Sequence, residues 1–359
     1  MIISMGGATG PVSAGMTAGR LFVMHELRSR ALGALYGLAI GDALGMPAQS
    51  LPRAEVVARY GALVGGFHAG PPGHPLAAGL PAGSVTDDTE QAVLLARLVV
   101  AGGGEVDAGD LARDLLAWEE SMRARGTLDL LGPSTRQALA ALAAGADVAE
   151  AGGAGLTNGA AMRVAPVGIA TPSRDPGLLE DRVVAASRLT HNTGVALAGA
   201  AAVAMAVSAG IDGDPLPAAI SRAAAAAASA AGRGHWVAGA DVAARIIWAT
   251  GLVTGLGRSQ LIDTVYRLVG TGLATQESVP AAFAVAAACP SDPWLACRIA
   301  ASLGGDCDTI AAMTGAICGA CHGAGGFPDA ARQTVAQVNH LDFGPLADDL
   351  LAIRTGVDD

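Results

Sequence analysis

The sequence predicts an all-α protein, and three observations carry that prediction. Hydrophobic residues make up 52% of the 359 residues but aromatic residues only 3%, so the apolar content is mostly Ala with Leu, Val and Ile. Ala is the best helix former, and Ala with Gly lets helices approach closely. The alternation of period two that marks strands is missing. We therefore expect a compact single-domain orthogonal helical bundle over residues 24–359.

Helix boundaries follow from glycines and prolines. A first helix is expected over residues 26–40 and ends at a Gly41-Asp42 turn. Residues 61–85 are rich in Gly and Pro, cannot form regular structure, and are a candidate lid or substrate loop. A helix then runs from about Asp88 to Val100 and ends at three glycines. Further helices are expected near 108–123, 134–144, 178–189, 194–209, 216–231, 237–251, 258–270, 277–288, 293–302 and 308–320.

Composition limits the cellular setting and the partners. Residues 1–23 lack the features of a signal peptide and are expected to be a disordered leader, with Met24 a candidate start of the folded chain. The net charge of -10 argues against nucleic acid as a partner. The uncharged stretch Thr193–Ile211 approaches the length of a membrane span but lacks flanking aromatics, so we interpret it as a buried core helix. Five cysteines without an export signal indicate reduced thiols in a cytoplasmic protein.

Two acidic segments share one design. Thr86-Asp87-Asp88 lies where the Gly/Pro-rich loop enters an apolar helix, and Asp306-Cys307-Asp308-Thr309 follows a Gly-Gly pair. Helix capping explains one Asp at a helix start but not two. Helix N-termini favour negative charge, so these acids should stay ionised and ready to bind a cation. Ligand sets made only of oxygen favour Mg²⁺, Mn²⁺ or Ca²⁺ over Zn²⁺, and the two segments could converge on a pair of ions.

Three weaker motifs accompany the acids. Asp42 lies beside glycines at the end of the first predicted helix, where an acid is commonly a turn residue. The segment Asn158–Met162 begins with Asn-Gly, which permits positive φ and suits either a tight turn or a nest of backbone N–H groups for a ligand. His191 lies at the start of the uncharged helix, where a histidine caps the helix, packs in the core or contacts a ligand.

In this order the motifs G-D-A-L-G, T-D-D-T, N-G-A-A-M-R, H-N and G-G-D-x-D-T resemble those of the ADP-ribosylglycohydrolase family, over roughly residues 30–327. The resemblance implies an all-α fold and two Mg²⁺ or Mn²⁺ ions. It implies these metal ligands: Thr86, Asp87, Asp88, Asp306, Asp308 and Thr309. It also implies these substrate-binding positions: Asp42, Gln49, Asn158, Gly159, Ala160, Met162 and His191.

The chain departs from the family pattern at Gln49. Several members have Glu at this position, seven residues after the first-motif Asp, and Gln cannot act as an acid or base. The expected chemistry is hydrolysis of the N- or O-glycosidic bond between the ribose of an ADP-ribosyl compound or protein and its acceptor. Asp87 and Asp306 are the candidates that orient or deprotonate the attacking water. Gln49 motivates an alternative, a nucleosidase acting on a small N-riboside; a non-catalytic ADP-ribose-binding homologue is the other. Oligomeric state stays open.

Overall fold

A computed structural model describes residues 18–127 and 131–356. Within these residues the structure is built from helices and contains no strand, so the all-α prediction is confirmed. A π-helical segment, Val265–Val269, and a 3₁₀ turn, Ala324–Gly326, complete it. The α-helices are α1 Ala18–Gly45, α2 Arg53–Tyr60, α3 Asp87–Ala101, α4 Ala108–Ala124, α5 Pro133–Ala143, α6 Val148–Ala151, α7 Gly159–Arg163, α8 Ala165–Ala170, α9 Pro176–Ser187, α10 Gly194–Ile211, α11 Leu216–Ala230, α12 Val242–Leu252, α13 Arg258–Thr264, α14 Thr275–Ala288, α15 Pro293–Ala301, α16 Cys307–His322, α17 Asp329–Asn339 and α18 Phe343–Thr355.

The helices α1 and α16 pack antiparallel with their backbones in direct contact. Four glycines at intervals of four residues line the face of α1 that meets α16: Gly33, Gly37, Gly41 and Gly45. A Cβ on Gly41 would lie 1.9 Å from the carbonyl oxygen of Ala311, and one on Gly37 would lie 2.1 Å from that of Gly315. Small residues allow this approach because no side chain separates the backbones. We call this contact the glycine seam.

The central helix of the bundle is α10. It carries no charge, it is long and apolar enough to cross a membrane by length and composition, and 94% of it is buried against the other helices. A helix that is apolar on every side needs such an environment, and this position agrees with the interpretation of a core helix. All five cysteines are buried and free.

A buried arginine ties the C-terminal helix to the core. Arg354 in α18 donates to the carbonyl oxygens of Gly168, Ile169 and Thr171, which lie at the end of α8. It also pairs with Asp212, with 2.5 Å between Nη2 and Oδ1. Buried carbonyl groups need donors, and the Arg354 guanidinium is a donor to all three of these carbonyl oxygens.

Some predicted boundaries are wrong. The helix α1 does not stop at a Gly41-Asp42 turn but continues to Gly45, because its glycines serve close packing rather than chain reversal. The segment Asn158–Met162, for which a tight turn or a nest was expected, enters a short helix, since α7 begins at Gly159 with Asn158 as its N-cap. Of the expected leader, residues 1–17 lie outside the described residues and 18–23 belong to α1. The irregular course predicted for 61–85 is confirmed. Six helices were not predicted from the sequence: α2, α6, α7, α8, α17 and α18.

Candidate active site

Asp42 connects the glycine seam to the start of α3. Its carboxylate is fully buried and accepts four hydrogen bonds, from the backbone N–H groups and the hydroxyls of Thr86 and Thr89, at 2.5 to 3.1 Å. Thr86 is the N-cap of α3 but makes no capping bond of its own, so Asp42 caps α3 from another helix. Burial raises the pKa of Asp42 to about 6, although these four donors oppose the rise.

Two glycines place the second acidic segment at the start of α16. Gly304 and Gly305 have φ of +78° and +68°, a region that L side chains rarely adopt. A Cβ on Gly305 would also lie 2.3 Å from the carbonyl oxygen of Thr271. The turn delivers Asp306 as the N-cap of α16, and the backbone N–H of Asp306 donates to that same Thr271 oxygen at 2.7 Å. The local sequence thus fixes where these carboxylates lie.

Asp88 is fully buried and lies between the two helix starts. Its Oδ2 accepts a hydrogen bond from the hydroxyl of Thr309 at 3.2 Å and also lies 3.2 Å from Oγ1 of Thr86, whose hydrogen is donated to Asp42. Its Oδ1 is buried without a hydrogen-bond partner. Burial, followed by the charges of neighbouring carboxylates, raises the pKa of Asp88 well above its ordinary value. We call these carboxylates the acidic cluster: Asp42, Asp87, Asp88, Asp306 and Asp308.

Asp306 is held by the amide of Asn158, the N-cap of α7. The Nδ2 of Asn158 donates to Asp306 Oδ2 at 2.5 Å and to Ser278 Oγ at 2.9 Å. The backbone N–H of Asn158 donates to the carbonyl oxygen of Leu273. Desolvation raises the pKa of Asp306 to about 6 against the opposing effect of the Asn158 bond. The N-G-A-A-M-R motif and the second acidic segment therefore meet in one place.

A pocket of about 250 Å³ opens over the acidic cluster. Eight of the residues predicted from sequence line it: Gln49, Asp87, Asn158, Gly159, Met162, Asp306, Asp308 and Thr309. Five others are buried behind this lining: Asp42, Thr86, Asp88, Ala160 and His191. A larger cavity, of about 420 Å³ between α9, α10 and α11, contains none of these residues. The smaller pocket is therefore the candidate active site, because residues of several sequence motifs line it.

His191 lies beneath the pocket wall rather than at its surface. The imidazole packs against Gly159, where a Cβ would lie 2.9 Å from Cε1. Its Nε2 lies 3.0 Å from Oγ1 of Thr157, which does line the pocket. Burial, and then the charge of Arg163, lower the pKa of His191 well below its ordinary value, so the ring is neutral. In this structure His191 reaches the pocket through Thr157.

The irregular segment 61–85 is fastened to Gln49. The Nδ1 of His74 accepts the backbone N–H groups of Leu76 and Ala77, so Nε2 carries the proton and donates to the carbonyl oxygen of Gln49 at 2.8 Å. Leu76 and the Gln49 side chain both line the pocket. Gln49 is 5% exposed, and its Nε2 has no hydrogen-bond partner. One wall of the pocket thus presents a buried donor without an acceptor.

Sequence reasoning missed several residues of this site. Thr89 completes the T-D-D-T motif one turn into α3, and that spacing was the available signal for its bond to Asp42. Thr157 precedes the Asn-Gly pair in the same way. Thr135 and Arg136 also line the pocket, from the first turn of α5. No pattern links α5 to the other motifs along the chain, because only the tertiary structure brings it there.

The donor chemistry of the acidic cluster fits divalent cations. In residues 18–127 and 131–356, no three His, Cys, Asp or Glu side chains are arranged around a single point that could hold a metal ion. The hydroxyl oxygens of Thr86 and Thr309 nevertheless both lie 3.2 Å from Oδ2 of Asp88, whose Oδ1 has no partner. A buried carboxylate oxygen without a donor, among further carboxylates, is costly unless a cation compensates it. The residues present therefore fit oxygen-ligated Mg²⁺ or Mn²⁺.

Comparison with known proteins finds similar chains. The chain is 38% identical over 326 residues to the uncharacterized protein YegU of Escherichia coli, covering 90% of this chain and 97% of that protein. It is 32% identical over 170 residues to the ADP-ribosyl-[dinitrogen reductase] glycohydrolase of Rhodospirillum rubrum, covering 46% and 53% of the two chains.

A solved structure described as an ADP-ribosylglycohydrolase-related protein complex superposes with a TM-score of 0.62 at 25% identity, covering 92% of this chain and 99% of that one. The model of the family described as ADP-ribosylglycohydrolase matches residues 24–359. This family consists of glycohydrolases, which supports a hydrolase here. The chain belongs to the ADP-ribosylglycohydrolase family.

Proposed function

We propose that this protein hydrolyses the bond between the anomeric carbon of an ADP-ribosyl group and its acceptor, with the help of two divalent cations. The observation that carries the proposal is the acidic cluster directly beneath a pocket of about 250 Å³. When bound, Mg²⁺ or Mn²⁺ would lower the pKa of water and bind ribose hydroxyls. The residues that would hold these cations are Thr86, Asp87, Asp88, Asp306, Asp308 and Thr309.

Asp87 and Asp306 are the proposed catalytic residues because both line the pocket. Water attacks the anomeric carbon through an oxocarbenium-like transition state, and the bond to the acceptor breaks. One of the two carboxylates takes a proton from that water, while the departing acceptor atom gains one. Asp306 is the N-cap of α16, and its Oδ2 accepts a hydrogen bond from Nδ2 of Asn158 at 2.5 Å. Asn158 keeps that carboxylate pointing at the pocket.

The rim of the pocket complements an anionic substrate. Arg136 lies in the first turn of α5, and its Nη2 donates to the carbonyl oxygen of Leu131 at 2.8 Å. The guanidinium, which also lies 4.0 Å from Oε1 of Glu119, and the start of the 11-residue helix α5 add positive charge to the lining of the pocket that contains the acids. A diphosphate at this rim would leave the ribose over the carboxylates. We therefore favour an ADP-ribosyl compound over an uncharged riboside.

A turnover screen tests the proposal directly. ADP-ribosyl-arginine, ADP-ribosyl-serine and a panel of nucleosides are incubated with Mg²⁺ or Mn²⁺, with and without EDTA. We expect release of ADP-ribose that EDTA abolishes and added metal restores. Asp87→Asn and Asp306→Asn should each reduce kcat by orders of magnitude with the fold intact.

The matched control for these substitutions is Asp175→Asn. This exposed residue caps α9 by accepting the backbone N–H of Leu178 at 3.1 Å, away from the pocket. Its activity should equal that of the unchanged protein. Near-normal turnover in Asp87→Asn or Asp306→Asn would remove that residue from the mechanism. Turnover unaffected by EDTA would remove the cations.

A second candidate function rests on Gln49. Gln49 lines the pocket, its buried Nε2 has no acceptor, and the amide cannot exchange a proton with substrate. Such a donor could recognise an uncharged base or ribose oxygen, as a nucleosidase requires. Release of free base from nucleosides, with kcat/KM above that for ADP-ribosyl compounds, would favour this reading. Gln49→Glu should then shift the preference towards ADP-ribosyl substrates.

A further inference from the structure

Arg163 lies at the centre of a buried hydrogen-bond network beneath the pocket. It is the last residue of α7, it is fully buried, and it faces α3 on one side and the turn after α9 on the other. Its Nη1 donates to Oε1 of Gln91 at 2.9 Å, and its Nη2 donates to Oγ1 of Thr190 at 2.6 Å. A guanidinium has five N–H donors and no acceptor. Both partners must therefore turn an oxygen lone pair towards Arg163.

This constraint orients the series of hydrogen bonds that leads from Arg163 through Gln91 to Asp87. Because Oε1 of Gln91 faces Arg163, the amide group of Gln91 faces the other way. Its Nε2 donates to Oδ2 of Asp87 at 3.2 Å. The direction of a side-chain amide is normally ambiguous, but here a donor-only neighbour fixes it. Asp87, which lines the pocket, thus receives a donor whose orientation originates at Arg163.

A second series of hydrogen bonds leads from Arg163 through Thr190 and His191 to Thr157. Thr190 accepts from Arg163, so its single hydrogen has two possible acceptors. Nδ1 of His191 lies 2.7 Å away, whereas the carbonyl oxygen of Ser187 lies at 3.5 Å and already accepts two backbone N–H groups. The shorter bond is the stronger one. Nδ1 is then an acceptor, and the one proton of the neutral ring resides on Nε2, which donates to Oγ1 of Thr157 at 3.0 Å.

We propose that Arg163 is a positioning residue that makes Thr157 a hydrogen-bond donor to the pocket. Since Thr157 Oγ1 accepts from His191, its own hydrogen points away from the ring, and Thr157 lines the pocket. The group bound at this wall is therefore an acceptor oxygen of the substrate, such as a phosphate or ribose oxygen, and not an N–H donor. The inference rests on the proposed function, because it specifies how the same pocket recognises an ADP-ribosyl group.

Turnover of ADP-ribosyl-arginine and calorimetric binding of free ADP-ribose test the network through two isosteric substitutions. Removing a buried guanidinium threatens folding, so the test uses Thr157→Val, Thr190→Val and their combination. Each single change should lower kcat/KM and ADP-ribose affinity by about threefold to tenfold, as expected for one lost hydrogen bond. The double variant should lose no more than Thr157→Val alone, because Thr190 acts only through that hydroxyl.

Thr314→Val is the matched control. Thr314 is equally buried, and its hydroxyl donates to the carbonyl oxygen of Ile310 within α16. This variant should bind and turn over like the unchanged protein. Losses in the double variant that multiply, or a Thr190→Val variant indistinguishable from Thr314→Val, would overturn the proposal.

The ring tautomer of His191 gives a readout that does not depend on activity. Nitrogen-15 NMR, with the signal assigned by its absence in His191→Gln, should show a neutral ring protonated at Nε2. A ring protonated at Nδ1 would overturn the proposal. If the unchanged protein neither binds ADP-ribose nor releases it, the proposed function fails, while the tautomer still decides whether Arg163 orients the network.

Discussion

Replacing Gly41 by Ala tests whether the glycine seam sets the position of the acidic cluster. The new Cβ would lie 1.9 Å from the carbonyl oxygen of Ala311 and 2.3 Å from its carbon, both backbone atoms that cannot rotate away. Ordinary contact begins at 3.4 Å, so α1 and α16 must separate by about 1.5 Å where they now touch. Asp42 is the next residue of α1 and would move with it, carrying the start of α3 away from that of α16.

The expected cost can be worked from two opposing effects. Overpacking a close contact costs about 1–3 kcal/mol, and two unyielding backbones place Gly41→Ala at the upper end. Removing a glycine from a helix interior returns roughly 0.5–1 kcal/mol. The net loss should be about 2 kcal/mol in the free energy of unfolding, measured from the urea midpoint with an unchanged slope. Turnover at a temperature where the variant is folded should fall by about 100-fold, since a displacement near 1 Å misaligns the catalytic groups.

Gly251→Ala is the matched control for that experiment. Gly251 lies in α12, is exposed, and has no atom within 4 Å of the position its Cβ would take. This variant should be more stable by roughly 0.5–1 kcal/mol with unchanged turnover. If Gly41→Ala behaved like Gly251→Ala, the seam would not be the contact that positions the acids.

Three further changes probe the site and its supports. Asp88→Asn should raise the thermal midpoint in EDTA by removing a buried charge, yet abolish both turnover and stabilisation by Mn²⁺; the same thermal gain with Mn²⁺ as the unchanged protein would contradict a role in cation binding. Burial lowers the pKa of His74, so stability should fall as pH drops below its unfolded value of about 6.5, and His74→Ala should flatten that slope in urea titrations at pH 5 to 7.5. Arg354→Met should cost about 3 kcal/mol, because it removes the cation that pairs with Asp212 and the donor to the carbonyl oxygens at the end of α8, while kcat at a permissive temperature stays unchanged.

The fold class and the convergence of the motifs could be predicted from the sequence. Helical composition without strand alternation identified the fold, and acids beside glycines at helix starts marked Asp88 and Asp306. These signals are local, since a few adjacent residues determine a helix cap or a glycine turn. The irregular structure of segment 61–85 could likewise be predicted from its glycines and prolines.

What could not be predicted depends on partners distant in the chain. Gly41 has the same sequence appearance as a turn glycine, and only its contact with Ala311, 270 positions later, shows that it permits helix packing. His191 has the appearance of a ligand-binding histidine, whereas the bonds to Thr157 and Thr190 place it behind the wall. The role of such a residue depends on a contact with a residue distant in the sequence, so the local sequence does not reveal it.

The antiparallel pairing of α1 with α16 has a consequence for the order of folding. The segments that supply the acids are separated by more than 200 residues, so closing this contact orders a very long loop. A chain emerging from the ribosome can form α1, α3 and the central helices, yet it holds Asp42 and Asp88 without the opposing helix until α16 has been synthesised. Under the proposed cation site, affinity for cations should therefore appear late and in one step, when α16 packs against α1, and should not build up gradually during synthesis.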